Sequence, residues 1–339
     1  MTLRIYIYPP LVLLVLGTSL AAIQPAAAAC DPSAKGQVVE ATSSSVEAVV
    51  ACGRESQTSL AFGPAGTLSV AIPPIDQSLT LSAIYPEGSR GVDAARVSRF
   101  KDGGIGFAYE LAGHTIVGGD KQGIEKMNAA LASSASQSAT PSAPSALASG
   151  CSSSSYSLFA FFQVSSFHYS INVTGLPTGG SARIQAAATA VSAASDNCGL
   201  AGSTGIPAVY DGTTTYTTNV TFSGGCAAQD SISVQKFGNL STSVAPIAIT
   251  CTASNGLNWV LHTDSLYSNN VSWYASSSTT GCTGSKYDLQ GVATHEIGHA
   301  YGLNHAGDGT QVMYPSSPYC DTGDRLLGSG DHAGLMAKY

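Results

Sequence analysis

Charged side chains are scarce in this chain. Among 339 residues there are only 14 Lys and Arg and 21 Asp and Glu, and the basic residues form no cluster. Proteins that bind nucleic acids neutralise phosphates with clustered Lys and Arg, so this composition argues against a nucleic-acid partner. The net charge of −7 favours solubility and points to no particular ligand.

Long apolar runs are also lacking, with one exception near the N terminus. The run from Leu11 to Ile23 follows Arg4 and precedes the small residues Ala27-Ala28-Ala29. It is shorter than the about 20 apolar residues that span a bilayer. This layout is typical of a secretory signal peptide, which we predict at residues 1–29. We therefore expect a secreted protein without a transmembrane segment in its mature chain, and a lipid anchor at Cys30 is the alternative.

Residues 129–150 lack nearly every side chain that builds a core. This stretch consists of Ala, Ser, Thr, Pro and Gly apart from three residues, Leu131, Gln137 and Leu147. Such a segment buries little surface, and we predict a linker there. The linker would separate an N-terminal module at residues 30–128 from a second domain at residues 151–339. Alternating apolar residues in the first module predict short strands, so we expect it to be β-rich.

The most informative feature that is present is the run His295-Glu296-Ile297-Gly298-His299-Ala300-Tyr301-Gly302-Leu303-Asn304-His305. On a helix, His295 and His299 project from one face and can bind a single metal ion. Gly302 can adopt a positive φ, which lets the chain turn so that His305 supplies a third ligand. Three protein ligands leave a coordination position open, as in catalytic zinc sites. We predict one catalytic Zn²⁺, with Glu296 as general base for the attacking water.

The residues after this motif carry a family resemblance. Val312-Met313-Tyr314-Pro315 resembles the methionine-containing turn of the metzincin clan, and residues 325–339 look like the closing helix of its matrixin family. The resemblance covers about residues 160–339. It implies an α+β fold, with a metzincin (matrixin-like) catalytic domain that has a twisted mixed sheet, a zinc helix, a Met-turn at Met313 and a C-terminal helix. The small β-rich N-terminal module would precede this domain as a propeptide.

The resemblance also implies an activity and its partners. It predicts a secreted zinc metalloendopeptidase that is made as a zymogen, acts on polypeptide substrates and is a monomer. In this family an extended substrate pairs with an edge strand ahead of the zinc helix, and Val271–Ala275 with Trp273 is our candidate strand. The segment after Met313 forms a specificity wall, for which Tyr314 and Tyr319 are candidates. Matrixins often hold a second zinc and calcium, but the sequence offers no His and Asp pattern for that zinc and nothing that supports Ca²⁺.

Eight cysteines in a secreted chain predict disulfide bonds. The six that follow the linker can form three bonds, and we favour sequential pairing, in which Cys282 and Cys320 flank the zinc helix. Cys30 and Cys52 precede the linker and can pair with each other. In matrixin zymogens a prodomain thiolate occupies the open zinc position, and Cys52, followed by Gly53, is a candidate for that role as the alternative to its pairing with Cys30. The family's Arg before this cysteine and Asp after it are absent here.

Two other functions are compatible with the motif. A catalytically silent zinc-binding adhesin or binding module could retain the fold, although pure binding does not require Glu296. The site could also hydrolyse an amide that is not part of a protein. The remaining histidines have no second His or Cys at ligand spacing, and we expect them to be ordinary surface or core residues: His114, His168, His262 and His332.

Overall fold

The computed structural model describes residues 37–63, 68–89, 91–111, 113–133, 150–228, 230–240 and 245–339. The predicted signal peptide, Cys30 with its alternative role as a lipid anchor, and most of the predicted linker lie outside the described residues. The helices are α1 (Ser43–Ala51), α2 (Lys121–Ser133), α3 (Gly180–Ser192), α4 (Leu289–Ala300) and α5 (Ser329–Lys338). Within the described ranges, every helix is too short or too polar to cross a membrane.

The strands fall into an N-terminal and a C-terminal group. Before the predicted linker they are β1 (Gln37–Glu40), β2 (Thr58–Phe62), β3 (Leu68–Ala71), β4 (Gln77–Pro86), β5 (Val92–Arg99), β6 (Ile105–Leu111) and β7 (His114–Gly119). After it they are β8 (Ser157–Leu158), β9 (Phe167–Asn172), β10 (Ala208–Thr214), β11 (Gly225–Cys226), β12 (Val234–Gly238), β13 (Ala248–Asn255), β14 (Val260–Ser268), β15 (Ser272–Tyr274), β16 (Lys286–Asp288), β17 (Leu303–Asn304) and β18 (Ser316–Ser317).

One large mixed sheet dominates the described part of the chain. Its strand order is β10-β9-β12-β14-β13-β4-β5-β6-β7, and β18 pairs with β4 beside this path. Neighbouring strands pair in parallel along β10-β9-β12-β14. From β14 onward, along β14-β13-β4-β5-β6-β7, neighbouring strands pair in antiparallel fashion. The mixed sheet and its helices confirm the predicted α+β fold. Strands from both sides of the linker thus meet where β4 pairs with β13.

The division at residues 129–150 stays a prediction. Helix α2 extends to Ser133, so the first residues of the predicted linker are helical. Strands from both predicted domains share one sheet, and β3 also pairs with β11 across the linker. The N-terminal module is β-rich, but β4 to β7 belong to the large sheet, and β1, β2 and β3 form a separate sheet with β11 of the second domain.

Two apolar cores lie on opposite faces of the sheet. Successive residues of a strand point to opposite faces, and β4, β13 and β14 contribute buried residues to both cores. In β4, Ile84 packs into the core that contains α3 and α4, whereas Leu81 packs into the core on the other face, which contains α1. In β13, Ala248 belongs to the first core and Ile249 to the second. Helix α4, the predicted zinc helix, therefore lies on the face of the sheet to which Ile84 points.

The cysteines after the linker confirm the predicted sequential pairing. The disulfides are Cys151–Cys198, Cys226–Cys251 and Cys282–Cys320. Cys52 is also disulfide-bonded. A disulfide sulfur offers no thiolate, so the zymogen role predicted for Cys52 would require that this bond be absent.

The Cys282–Cys320 bond encloses the entire zinc helix and all three motif histidines. Replacing both cysteines by Ser should lower the free energy of unfolding by about 2–4 kcal/mol, because the unfolded chain loses a loop constraint. Urea unfolding would measure the loss. The Cys151→Ser, Cys198→Ser variant is the matched control: we expect a comparable loss of stability but unchanged zinc retention, since its loop contains none of the histidines. The variant without Cys282 and Cys320 should retain less zinc than this control, and equal zinc retention in the two variants would contradict that expectation.

Candidate metal centre

Helix α4 is fixed at both ends by local features of the sequence. At its start, Asp288 is the N-cap, and its carboxylate accepts a hydrogen bond from the Gly291 N–H at 2.9 Å. All residues of α4 are buried. At its end, Gly302 has a φ of +84°, as the predicted turn requires. The following residues form β17, which pairs with β8 and leads directly to His305.

The three motif histidines converge on one point. The Nε2 atom of His295 lies 3.0 Å from that of His299 and 3.2 Å from that of His305. Tetrahedral zinc ligands at about 2.0–2.1 Å from the ion lie roughly 3.3 Å from one another, so these nitrogens suit a single zinc ion. Among the described residues, no other group of His, Cys, Asp or Glu is arranged to hold a metal.

Backbone carbonyls orient two of the imidazoles. The Nδ1–H of His295 donates to the Val312 carbonyl at 2.7 Å, and that of His299 donates to the Leu303 carbonyl at 2.9 Å. These bonds place the proton on Nδ1 and leave the Nε2 lone pair for a metal. Burial lowers the pKa of His295 to about 4 and the pKa values of His299 and His305 well below the ordinary value. The rings are therefore neutral at physiological pH, the form that metals bind.

Glu296 is a completely buried carboxylate without a hydrogen-bond partner on either oxygen. Burial raises the pKa of this carboxyl group to about 8. A cation held by the adjacent histidines would also favour the charged form and lower this pKa. A buried, unpaired carboxylate costs stability, and groups of this kind concentrate at functional sites.

The predicted Met-turn packs against the zinc helix. The Met313 side chain is buried, and its sulfur fills the space beside Gly298, where a Cβ atom would overlap with it. Asp331 of α5 holds this turn: it accepts the Val312 N–H at 2.8 Å and the Met313 N–H at 3.4 Å. The role of Asp331 was not predicted from the sequence. Its signal was an acidic residue in the first turn of a helix shortly after the Met-turn.

A buried ion pair anchors the start of the zinc helix. Arg325 donates from Nε to Asp288 Oδ1 at 3.0 Å and from Nη2 to Asp288 Oδ2 at 2.6 Å. The same guanidinium donates to the carbonyls of Ser276 and Ser277. The N-cap of α4 is thereby tied to two loops. The role of Arg325 was not predictable from the sequence because its partner Asp288 lies 37 positions away.

Breaking this ion pair should be costly. Arg325→Ala leaves the Asp288 carboxylate buried without its partner, and we expect a loss of about 3–5 kcal/mol in the free energy of unfolding. Asp288→Ala should cost a similar amount and also remove the helix cap. Denaturant unfolding of the two single variants and the double variant checks this. If the residues act as a pair, the double variant loses less stability than the sum of the two single losses.

The predicted substrate-binding residues occupy different environments. Strand β15, which contains Trp273, pairs with β16 and is not part of the large sheet. The Trp273 indole donates to the Ser268 carbonyl at 2.8 Å, and its ring packs against Tyr267. Tyr319 is 54% exposed, and its ring lies 4.7 Å from that of Tyr287. Tyr314 is partly buried. The substrate-binding roles of Trp273, Tyr314 and Tyr319 stay predictions.

Three converging neutral imidazoles, an adjacent buried carboxylate and a buried methionine turn are the features of a metzincin-type metallopeptidase centre. Comparisons with known proteins agree with this class. Residues 210–339 match the family model described as Matrixin. This part of the chain is therefore matrixin-like, which confirms the resemblance carried by the motif.

Individual relatives match over short stretches. The chain is 40% identical over 86 residues to matrix metalloproteinase-26 of Homo sapiens, which is 25% of this chain and 29% of that protein. It is 49% identical over 47 residues to metalloendoproteinase 1 of Glycine max, covering 14% and 15% of the two chains. It is 45% identical over 53 residues to interstitial collagenase of Sus scrofa, which is 16% of this chain and 11% of that protein. The chain thus spans less than a third of the length of these relatives.

Proposed function

We propose that this protein is a secreted zinc endopeptidase that hydrolyses peptide bonds in polypeptide substrates. The observation that carries the proposal is the convergence of three neutral imidazoles beside a buried carboxylate that has no structural partner. The match of residues 210–339 to the matrixin family supports the same activity. Secretion is supported by the predicted signal peptide and by the disulfides, which form in oxidising compartments.

The roles of the residues follow from their chemistry. His295, His299 and His305 would bind a zinc ion, which supplies a Lewis acid and lowers the pKa of a water towards about 7. Glu296 accepts the proton of the attacking water and later returns it to the leaving amine, so it acts as base and then as acid. The Val312 and Leu303 carbonyls keep the imidazoles in the metal-binding tautomer. The Met-turn supports α4 through the contact of the Met313 side chain with Gly298.

The test uses protein recovered from the culture medium. We would measure zinc per chain, the N-terminal sequence before and after incubation, and hydrolysis of casein with and without a chelator. We expect about one zinc per chain and an activity that is lost on chelation and restored by added Zn²⁺. A protein that holds zinc, has lost its N-terminal module and still cleaves nothing would contradict the proposal. It would favour the silent zinc-binding module.

A further inference from the structure

Two side chains of opposite charge line one small cavity without pairing with each other. Arg96 of β5 and Glu110 of β6 both belong to the wall of a cavity of about 60 Å³. Arg96 lies opposite Ala108 in the sheet, and Glu110 is two residues further along β6 on the same face. Such diagonal positions are roughly 7–8 Å apart, within reach of an ion pair between long side chains. Neither residue forms an ion pair with any side chain in the described ranges.

Arg96 and Glu110 bond instead to neutral groups. The Arg96 guanidinium donates from Nε to the Ser98 hydroxyl at 3.2 Å and from Nη2 to the Ser78 hydroxyl at 3.1 Å. The Glu110 carboxylate accepts a hydrogen bond from the Asn304 side-chain amide at 2.9 Å. Burial lowers the pKa of Arg96 to about 10 and raises the pKa of Glu110 above its ordinary value. Burial therefore disfavours the charged form of both groups, and a partner of opposite charge would stabilise each of them.

The rest of the cavity wall is largely apolar and encloses little space. Its apolar residues come from the sheet, from α2 and from the segment around β8: Ala94, Ala108, Leu131, Leu158 and Phe159. The buried Thr80 hydroxyl also belongs to the wall and has no hydrogen-bond partner in the part of the chain that the structure describes. A water molecule needs about 10–15 Å³ of such space, so the cavity has room for roughly four to six non-hydrogen atoms. This size suits a small molecule and excludes a peptide.

The two charges in the cavity wall define the chemistry of a ligand. We propose that the cavity binds a small zwitterionic amino acid, such as glycine or alanine. The carboxylate of the ligand accepts hydrogen bonds from the Arg96 guanidinium, and its ammonium group donates to the Glu110 carboxylate. A zwitterion stabilises both side-chain charges at once and adds no net charge to a largely apolar cavity. An anion or a cation of the same size would satisfy only one of the two charges.

The cavity lies outside the predicted metal centre, but one hydrogen bond links it to the zinc motif. Asn304, which donates to Glu110, directly precedes His305 and is itself part of the cavity wall. A ligand bound to Glu110 therefore lies beside the neighbour of a predicted zinc ligand. Binding at the cavity does not require peptidase activity, so this proposal and the peptidase proposal can fail separately.

Equilibrium dialysis of the zinc-loaded full chain with radiolabelled glycine tests this site. We expect saturable binding to a single site. Glycolate replaces the ammonium group of glycine by a hydroxyl, and ethanolamine replaces its carboxylate by a hydroxymethyl group. Each should compete at least about tenfold more weakly than unlabelled glycine, because each loses a charge-assisted hydrogen bond. Equal competition by either compound would overturn the proposal, as would a lack of saturable glycine binding.

Two substitutions remove the charges one at a time. Arg96→Gln and Glu110→Gln should each weaken glycine binding about tenfold or more. Glycine should lose its advantage over glycolate in Glu110→Gln, and its advantage over ethanolamine in Arg96→Gln. The matched controls are Arg99→Gln and Glu55→Gln, which alter an ion pair of 4.0 Å whose arginine is also on β5 but points to the opposite face. The controls should bind glycine like the wild type, and unchanged binding in Arg96→Gln or Glu110→Gln would contradict the proposal.

A third variant covers the case that loss of a buried charge prevents folding. Ala108 is 5% exposed and lines the cavity, so Ala108→Val fills part of the space without changing any charge. It should abolish glycine binding, and binding at the wild-type affinity would overturn the proposal. Because zinc can itself bind an amino acid, the dialysis is repeated with a chelator. Retained binding supports the cavity as the site, whereas glycine that is lost together with the zinc would assign the ligand to the metal centre and overturn the proposal.

Discussion

Replacing Glu296 by Ala is expected to reduce hydrolysis by about 100- to 10,000-fold or more while zinc remains bound, because the general base is lost and no metal ligand is touched. The comparison uses protein from which the N-terminal module has been removed. Since neither Glu296 oxygen has a hydrogen-bond partner, the substitution leaves no group unpaired, and the variant should be at least as resistant to urea as the wild type. Hydrolysis rates, zinc content and urea midpoints measure these effects.

His295→Ala is the companion variant. It removes a ligand, so zinc content and activity should fall together. Retained activity in Glu296→Ala would show that another group takes the proton. Loss of zinc from Glu296→Ala would assign the carboxylate to metal binding and contradict its role as base.

Replacing Gly302 by Ala should abolish zinc binding, and with it activity. A residue with a side chain at a φ of +84° costs roughly 1–2 kcal/mol, and here the added Cβ would also collide with the Phe161 carbonyl oxygen. The backbone would have to move at the turn that places His305. Zinc content of the variant, determined alongside its unfolding free energy, tests this expectation.

The Gly205→Ala variant separates the effect of backbone strain from the effect of the steric collision. Gly205 has a φ of +68°, but a Cβ there meets no atom within 4 Å, so this variant has the backbone strain without the collision. We expect it to lose little stability and to keep its zinc. If Gly302→Ala behaved in the same way, the close approach to Phe161 would not be what positions His305.

The zinc motif could be predicted because all the residues that form it are close together in the sequence. His295, His299 and Glu296 lie within two turns of one helix, and Gly302 provides the turn that brings in His305. The Asp288 cap and the α4 boundaries follow from neighbouring residues in the same way. Sequential disulfides were predictable for a related reason, since each bond joins cysteines that are close in the chain.

The features that the sequence did not reveal depend on distant partners. Strand β4 pairs with β13 more than 160 positions later in the chain, and nothing in either segment specifies the other. Both have alternating small and apolar residues that would suit many partners. The candidate edge strand at Val271–Ala275 contains β15, which pairs with β16 outside the large sheet, and its substrate-binding role stays a prediction. The roles of Arg325 and Asp331 depend equally on tertiary contacts.

The antiparallel path from β4 to β7 has a consequence for how the chain folds. These strands pair with their nearest neighbours through short connections, so they can form early, while the parallel pairing of β9, β10, β12 and β14 must wait for distant segments to meet. A preformed β4 offers β13 an edge on which to align, and β13 in turn sets the register of β14. The strands β4 to β7 would then serve as a folding template for the strands that follow the predicted linker.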